Sequence, residues 1–407
     1  MYQQYRKPKS SGGKGFLFLF FLLVIVIAAV AIQLLRPYPA IETSSLAPGI
    51  TLPGEFAVTF PEQGQSAVGT DNFGVIAQTP DQYPVPIASV AKIMTACLVL
   101  EAYPLERGES GPRVTMTSED YREYQAALAD GHSVLAIAEG GVLTERQMLE
   151  GLMLPSGNNI ANKLGRWVAG SDEAFVQMMN EKAEELGMTS THYADASGFS
   201  PETVSTAVDQ VKLAQAVMQD PVFREIVAMP QTTLPVAGTV YNVNNMLGKN
   251  GVVGIKTGST TAAGGNFVSA SPISAGNETH YLIAVVLRQY AALNLQTAID
   301  ENVKILNQVR PYFRMYPLVE ANTNFGKITS AWKSEADLIA SQSVQVFGYP
   351  GMEIPYSIKA GDTQLPILAG REVAALEVYT DKEVQTVSLY SAQEIKNPSI
   401  FWRLLRF

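Results

Sequence analysis

Ile87-Ala88-Ser89-Val90-Ala91-Lys92-Ile93-Met94-Thr95-Ala96 sets a hydroxyl and an amine three residues apart at the start of an apolar run. Cys97, Leu98 and Leu100 continue the run, and Pro104 ends it. A helix apolar on nearly all sides belongs in the middle of a domain. Residues at i and i+3 share a helical face, with Cβ atoms roughly 5–6 Å apart. A lysine held beside a serine in apolar surroundings gives up its proton more readily and can act as a base. Alone, Ser-x-x-Lys also describes a solvent-facing pair, so its meaning depends on the rest of the chain.

Upstream, Phe56 to Phe60 alternates and is expected to be a first strand, with Gly74 to Ala77 a second. Downstream, Thr117 with Asp120 and Thr144 with Gln147 have capping spacing and should open two helices. His132 to Leu135, between them, reads as an ordinary surface loop, with a loop near the site as the alternative. Pro155 ends the second helix, so Ser156-Gly157-Asn158 falls in a connection before a further helix through Ile160, Leu164 and Val168. Taken alone, Ser156 or Asn158 can equally be a cap of that helix. Three more helices are expected: Ala174 to Leu186, one opened by Thr206, and one begun by Pro221.

The pattern then changes. Val252 to Thr257, Phe267 to Ala270 and Tyr281 to Leu287 read as an antiparallel meander. The helix carrying Ile299, Val303 and Leu306 is expected to cover one face of it. The result is an α+β layered domain of residues 55–310. After Pro311, strands at 343–347, 354–358, 373–379 and 384–390, with turns such as Thr380-Asp381-Lys382, make a small all-β domain of residues 320–392. An aromatic tail, 393–407, follows.

The chain of 407 residues has 29 basic and 38 acidic side chains. Four of the basic ones (Arg6, Lys7, Lys9, Lys14) lie in the first 35 residues, which carry no acid. The rest therefore holds 25 against 38, a net −13, so its overall charge does not favour nucleic acid. The single cysteine, Cys97, is expected to be a core thiol. His132, His192 and His280 lack the spacing of a local metal motif, so no metal site is expected.

Phe16 to Ile32 is an uncharged, mostly large apolar run. It is longer than the roughly 7–15 residues of a signal-peptide core, although Ala28 to Ala31 offers a small-x-small cleavage site. We read residues 15–35 as a retained transmembrane anchor and 1–14 as a cytoplasmic tail. The preceding Lys and Arg place residue 36 onward outside. Residues 36–54, with four prolines, read as a linker.

A third short motif, Lys256-Thr257-Gly258, completes a set. Ser89 can be a nucleophile and Lys92 the base that takes its proton. Lys256 on a facing strand can lower the Lys92 pKa further. Ser156 can relay a proton to a leaving amine, and Asn158 can hold Lys92 or a substrate amide. Lys256 with the Thr257 and Ser259 hydroxyls can hold a carboxylate, and Gly258 lets the backbone approach closely. The Ser89 and Ser259 amides are candidate oxyanion donors.

These motifs resemble the low-molecular-mass penicillin-binding proteins, the serine D-Ala-D-Ala carboxypeptidases. The likeness runs through Pro86–Ala96, Leu152–Asn158 and Gly254–Thr260, and covers about residues 55–290. The resemblance implies a β-lactamase/transpeptidase-like fold, an antiparallel sheet with a helical subdomain. It implies removal of the terminal D-alanine from peptidoglycan stem pentapeptides through a Ser89 acyl-enzyme, without metal or organic cofactor. β-Lactams would trap Ser89 covalently. It implies a bacterial protein with the site on the outer side of the cell membrane. The same residues also serve β-lactamases, DD-endopeptidases, or a non-catalytic wall-binding scaffold. Ala194-Asp195-Ala196-Ser197-Gly198 departs from the Asn-Pro-x-Gly of many relatives.

Overall fold

Alternation along one strand lays out the catalytic half. Leu282, Ala284 and Val286 pack with Val68 and Phe267 on one side, while Ile283, Val285 and Leu287 pack with Ala67 and Val268 on the other. Successive side chains of a strand face opposite ways, so both faces of this sheet are buried. The computed structural model describes residues 12–45, 49–380 and 383–406. The chain divides into two compact units, residues 53–315 with 347–351, and the chain up to Leu52 with 316–346 and 352 onward.

In the first unit, five antiparallel strands lie in the order Gly254–Thr260, Gly264–Ala275, Glu278–Gln289, Gln65–Thr70, Gly74–Gln78. The helix Asn294–Val309 covers one face through Ala298, Ile299, Ile305 and Leu306. Its buried Asn302 joins the sheet, accepting from Ser269 Oγ (2.5 Å) and donating to the carbonyls of Ala284 (2.8 Å) and Phe267 (3.2 Å). The other face carries the helical subdomain, built round Lys92–Ala102, whose residues Lys92 to Leu100 are all buried. The capping boxes at Thr117/Asp120 and Thr144/Gln147 open Ser118–Ala129 and Glu145–Met153. This is the mixed α+β, transpeptidase-like architecture expected.

One strand expectation fails. Phe56 to Phe60 is extended but unpaired in any sheet. The Gln308 side chain satisfies the Thr59 backbone instead, accepting from its N–H (2.9 Å) and donating to its carbonyl (3.2 Å). Phe56 packs among the rings of Tyr312, Phe313 and Tyr349. Alternation here reports a half-buried strap, and the first strand is Gln65–Thr70.

The second unit is a seven-stranded sheet in the order Glu42–Ser45, Asn324–Thr329, Glu335–Ala340, Val384–Ser391, Glu372–Tyr379, Glu353–Ala360, Gly49–Thr51. Its core includes Ile328, Leu338, Leu376, Val387 and Leu389. Residues 42–45 and 49–51, inside the stretch read as a linker, supply both outer strands. Arg6, Lys7, Lys9, Phe407 and part of the Thr380-Asp381-Lys382 turn lie outside the described residues. Gly12–Leu35 is one long helix, exposed along its apolar length, consistent with a membrane anchor or a signal sequence.

Candidate active site

The nucleophile segment does not enter its helix smoothly. Ala88 takes a positive φ of 50°, residues Ala88–Ala91 form a 3₁₀ turn, and the α-helix begins at Lys92. The turn leaves Ser89 half-buried at the mouth of the helix while Lys92 is fully enclosed. Lys92 Nζ meets three acceptors: Ser89 Oγ at 2.9 Å, Asn158 Oδ1 at 2.7 Å and the Ser197 carbonyl at 2.9 Å. All three are neutral. An ammonium here has its donors satisfied but no counter-charge within bonding distance. Burial drives the Lys92 pKa well below its ordinary value, the nearby Lys256 lowers it further, and Asp195 opposes both.

The Ser156-Gly157-Asn158 connection is strained. Ser156 sits at φ 67°, a region that non-glycine residues seldom adopt. Its Oγ is buried and has no hydrogen-bond partner among the described residues. Gly157 is the N-cap of Asn158–Ala169 and no side chain caps that end, so neither Ser156 nor Asn158 is used as a cap. Asn158 is anchored through its backbone N–H to the Ser133 carbonyl (2.8 Å). Asn159 clamps Leu135 both ways, at 2.9 and 3.0 Å. The loop at His132–Leu135 is thus no ordinary surface loop. It braces the second motif, and His132 lies 3.9 Å, ring to ring, from Phe199.

Lys256 and Thr257 lie on Gly254–Thr260, the edge strand of the sheet, and both are buried. Lys256 Nζ donates to the Thr257 carbonyl (3.0 Å), and burial brings its pKa down to about 7. Gly258 is required by proximity. A Cβ there would stand 2.9 Å from the Ile87 carbonyl oxygen and from the Ser89 and Val90 nitrogens. The third motif therefore lies directly against the turn that carries Ser89. Ser259, next along, is exposed.

The structure adds two residues that the motifs did not reveal. Ser197 presents its carbonyl to Lys92, and Asp195 fixes the loop that does so. The Asp195 carboxylate accepts from Ser197 Oγ (2.6 Å), Thr203 Oγ1 (2.6 Å) and the Phe199 N–H (2.9 Å). Thr95 Oγ1 donates to the Ala196 carbonyl (2.6 Å). Gly198, at φ 77°, lies so close to Ala88 that a Cβ would overlap the Ala88 carbonyl oxygen. A cavity of about 380 Å³ adjoins this loop, lined in part by Asn158, Asp195, Ser197, His132 and Phe199. Among the described residues no three His, Cys, Asp or Glu side chains gather as metal ligands. Cys97 is a buried thiol, pushed up to about 12 chiefly by burial and next by Glu101.

Comparison with known proteins gives the family and the fold. The family model for D-alanyl-D-alanine carboxypeptidases, peptidase family S11, matches residues 65–290. The D-alanyl-D-alanine carboxypeptidase DacB2 of Mycobacterium tuberculosis is 33% identical over 218 residues, 52% of this chain and 70% of that protein. A D-alanyl-D-alanine endopeptidase of Pseudomonas aeruginosa is 30% identical over 262 residues, 59% of this chain and 81% of that one. The crystal structure of penicillin binding protein 5 from Haemophilus influenzae shares the fold at a TM-score of 0.57 with 20% identity, covering 84% of this chain and 100% of that chain.

Proposed function

The chain belongs to the D-alanyl-D-alanine carboxypeptidase family of serine peptidases, and from that premise we propose how its own residues carry out the reaction. The activity is serine-type DD-carboxypeptidase action on peptidoglycan through an acyl-enzyme, with β-lactams as covalent inhibitors. The observation that carries the residue assignment is the buried Lys92 amine, held by neutral acceptors only and 2.9 Å from Ser89 Oγ.

In its neutral form Lys92 takes the Ser89 hydroxyl proton as Oγ attacks the carbonyl of the scissile D-Ala-D-Ala bond. The oxyanion is received by the backbone N–H groups of Ser89 and Ser259, a reading supported by the close approach of Gly258 to the Ser89 turn. The proton then passes from Lys92 through the free Ser156 hydroxyl to the amine of the departing D-alanine. Asn158 Oδ1 keeps the Lys92 amine in register throughout. Water, deprotonated by Lys92, attacks the ester carbonyl, and Ser89 recovers its proton. Lys256, with Thr257 and Ser259, binds the terminal carboxylate. That carboxylate favours the charged form of an amine whose burial brings its pKa to about 7. The edge position of Gly254–Thr260 leaves a row of backbone groups for an extended peptide.

Gly12–Leu35 is, in this reading, a retained anchor with the peptidase unit outside the membrane. Its 24 residues rise roughly 36 Å at about 1.5 Å each, enough for a bilayer core of about 30 Å. Lys14 and the basic residues before it mark the inner end.

Fluorescent penicillin tests the nucleophile. A stable adduct on the wild type that is absent from Ser89→Ala, with D-alanine released from a pentapeptide, is the expected result. Labelling of Ser89→Ala to the wild-type level would refute it. Fast release of opened drug would point to a β-lactamase, and cleavage of cross-linked dimers to the activity named for the Pseudomonas relative.

A further inference from the structure

Thr95 carries the only hydroxyl in the buried run from Lys92 to Leu100. A threonine inside a helix commonly bonds back to a carbonyl of the preceding turn. This one donates outward, to the Ala196 carbonyl at 2.6 Å. Lys92, three residues earlier on the same helical face, donates to the next carbonyl along, that of Ser197, at 2.9 Å. Two side chains of one helix therefore grip two successive carbonyls of one loop. All four residues are buried. The loop is braced from within, because the Asp195 carboxylate accepts from Ser197 Oγ and Thr203 Oγ1, and Thr203 Oγ1 accepts from the Ala194 N–H at 3.0 Å. It meets the catalytic segment through the two carbonyl bonds and through Gly198, packed on Ala88.

The Ser197 carbonyl decides where the lone pair of Lys92 points. A neutral amine has two N–H bonds and one lone pair. Asn158 Oδ1 and the Ser197 carbonyl can only accept, and at 2.7 and 2.9 Å they take both N–H bonds. The remaining tetrahedral direction, the lone pair, is left for the third neighbour, Ser89 Oγ, at 2.9 Å. The amine can take the serine proton only along that direction. The Ala196 and Ser197 carbonyls lie in adjoining rigid peptide planes, with only the φ and ψ of Ser197 between them. Fixing the first plane therefore restrains the second.

We propose that Thr95 is a positioning residue for acylation: by holding the Ala196 peptide it sets the Ser197 carbonyl, and so aims the Lys92 lone pair at Ser89. The proposal rests on the reading of Lys92 as the base. Without the Thr95 hydroxyl the Ala196 carbonyl loses its donor and its plane can turn. The Ser197 carbonyl then swings away from Lys92, and the amine rotates so that some molecules present an N–H to Ser89 in place of the lone pair. Those molecules still bind ligand, because Thr95 lies behind Lys92 in the buried helix, but they do not take the proton.

The test compares the full chain with Thr95→Val, which keeps the branched shape without the hydroxyl, and Thr95→Ser, which keeps the hydroxyl. Stopped-flow acylation by fluorescent penicillin separates the non-covalent dissociation constant from the acylation rate constant, and the labelling end-point counts the folded molecules. For Thr95→Val the acylation rate constant per folded molecule is expected to fall about 10–10²-fold, with the dissociation constant unchanged. Its acid limb moves to lower pH, because an ammonium that has lost a firm acceptor is less favoured. Thr95→Ser acylates like the wild type. If Thr95→Val does not fold, Thr95→Cys takes its place: its thiol is a weak donor of similar size, and it is expected to acylate several-fold more slowly than Thr95→Ser. A lower end-point or melting temperature with the rate constant and the acid limb of the folded molecules unmoved assigns Thr95 to structure alone and overturns the proposal. So does a Thr95→Ser chain as slow as Thr95→Val, which would put the effect in the methyl group, or a Thr95→Cys chain as fast as Thr95→Ser. A wild type that takes no label defeats the acyl-enzyme reading itself, whereas a labelled wild type matched in rate by Thr95→Val defeats only the positioning role.

Discussion

Two lysines of the helical subdomain are withdrawn from solvent in opposite ways. Lys92 faces a hydroxyl, an amide oxygen and a backbone carbonyl. Lys163 faces the buried Asp120 carboxylate at 2.6 Å, in a cluster where Arg166 also reaches Asp120, Glu123 and Asp172. Asp120 is pushed up by burial, yet the bonds from Lys163 and Thr117 win and hold it below its usual value. The lesson is that the partners decide the role of a sequestered amine. Neutral partners satisfy its geometry without stabilising its charge, so it can release a proton. A carboxylate partner locks the charge in, and the pair can only hold structure.

The strongest break of this comparison is Lys92→Arg. A guanidinium keeps its proton at any working pH, so serine acylation should fall by about 10²–10⁴-fold while the protein stays folded. Penicillin acylation rates beside circular dichroism check this.

Lys256→Gln removes the cation that faces Lys92. Losing one charge-assisted carboxylate contact, about 1.5–3 kcal/mol, should lower kcat/KM on the order of 10–10². Without that cation the Lys92 pKa rises, so the acid limb of the pH profile moves to higher pH. In the wild type, the alkaline limb of kcat/KM should fall near pH 7, where free-enzyme Lys256 becomes neutral. Lys256→Arg should move that limb to higher pH.

Asp195→Asn sharpens the comparison from the other side. Asp195 raises the Lys92 pKa against burial. Removing its charge lowers that pKa, so the acid limb should move to lower pH, with the maximum rate changed only a few-fold. A limb that moves upward would contradict this electrostatic account.

The smallest catalytic effect belongs to Lys163→Met. Asp120 keeps Arg166 and Thr117 but loses its shortest cation contact, which should cost about 1–3 kcal/mol in denaturant unfolding. Acylation of the folded variant should be unchanged.

Much of the catalytic half was legible. The Ser89 helix, the two capping boxes, the central meander and the three motifs each carry a local signature in side-chain type and spacing. Where the reading failed, the deciding partner was distant. Phe56 to Phe60 alternates as a strand does, but Gln308, some 250 residues on, supplies its backbone bonds. Residues 42–45 and 49–51 belong to a stretch that looks like a proline-bounded tether, yet they pair with strands that begin beyond residue 320. His132 to Leu135 carried no motif, and it holds the second motif through the backbone groups of Ser133 and Leu135.

The sequence by itself determined which chemical groups gather at the candidate site: Ser89, Lys92, Ser156, Asn158 and Lys256 are recognisable from their short contexts. It also determined the central meander, through short apolar runs bounded by turn residues. Only the tertiary structure decided how the Lys92 amine is held, because the Ser197 carbonyl is a group that every residue owns and no sequence pattern announces. The left-handed backbone at Ala88 and Ser156 was decided there too. The packing of Gly258 and Gly198 against the turn around Ser89 determines those shapes, and that packing exists only once the sheet and the helical subdomain have closed on each other.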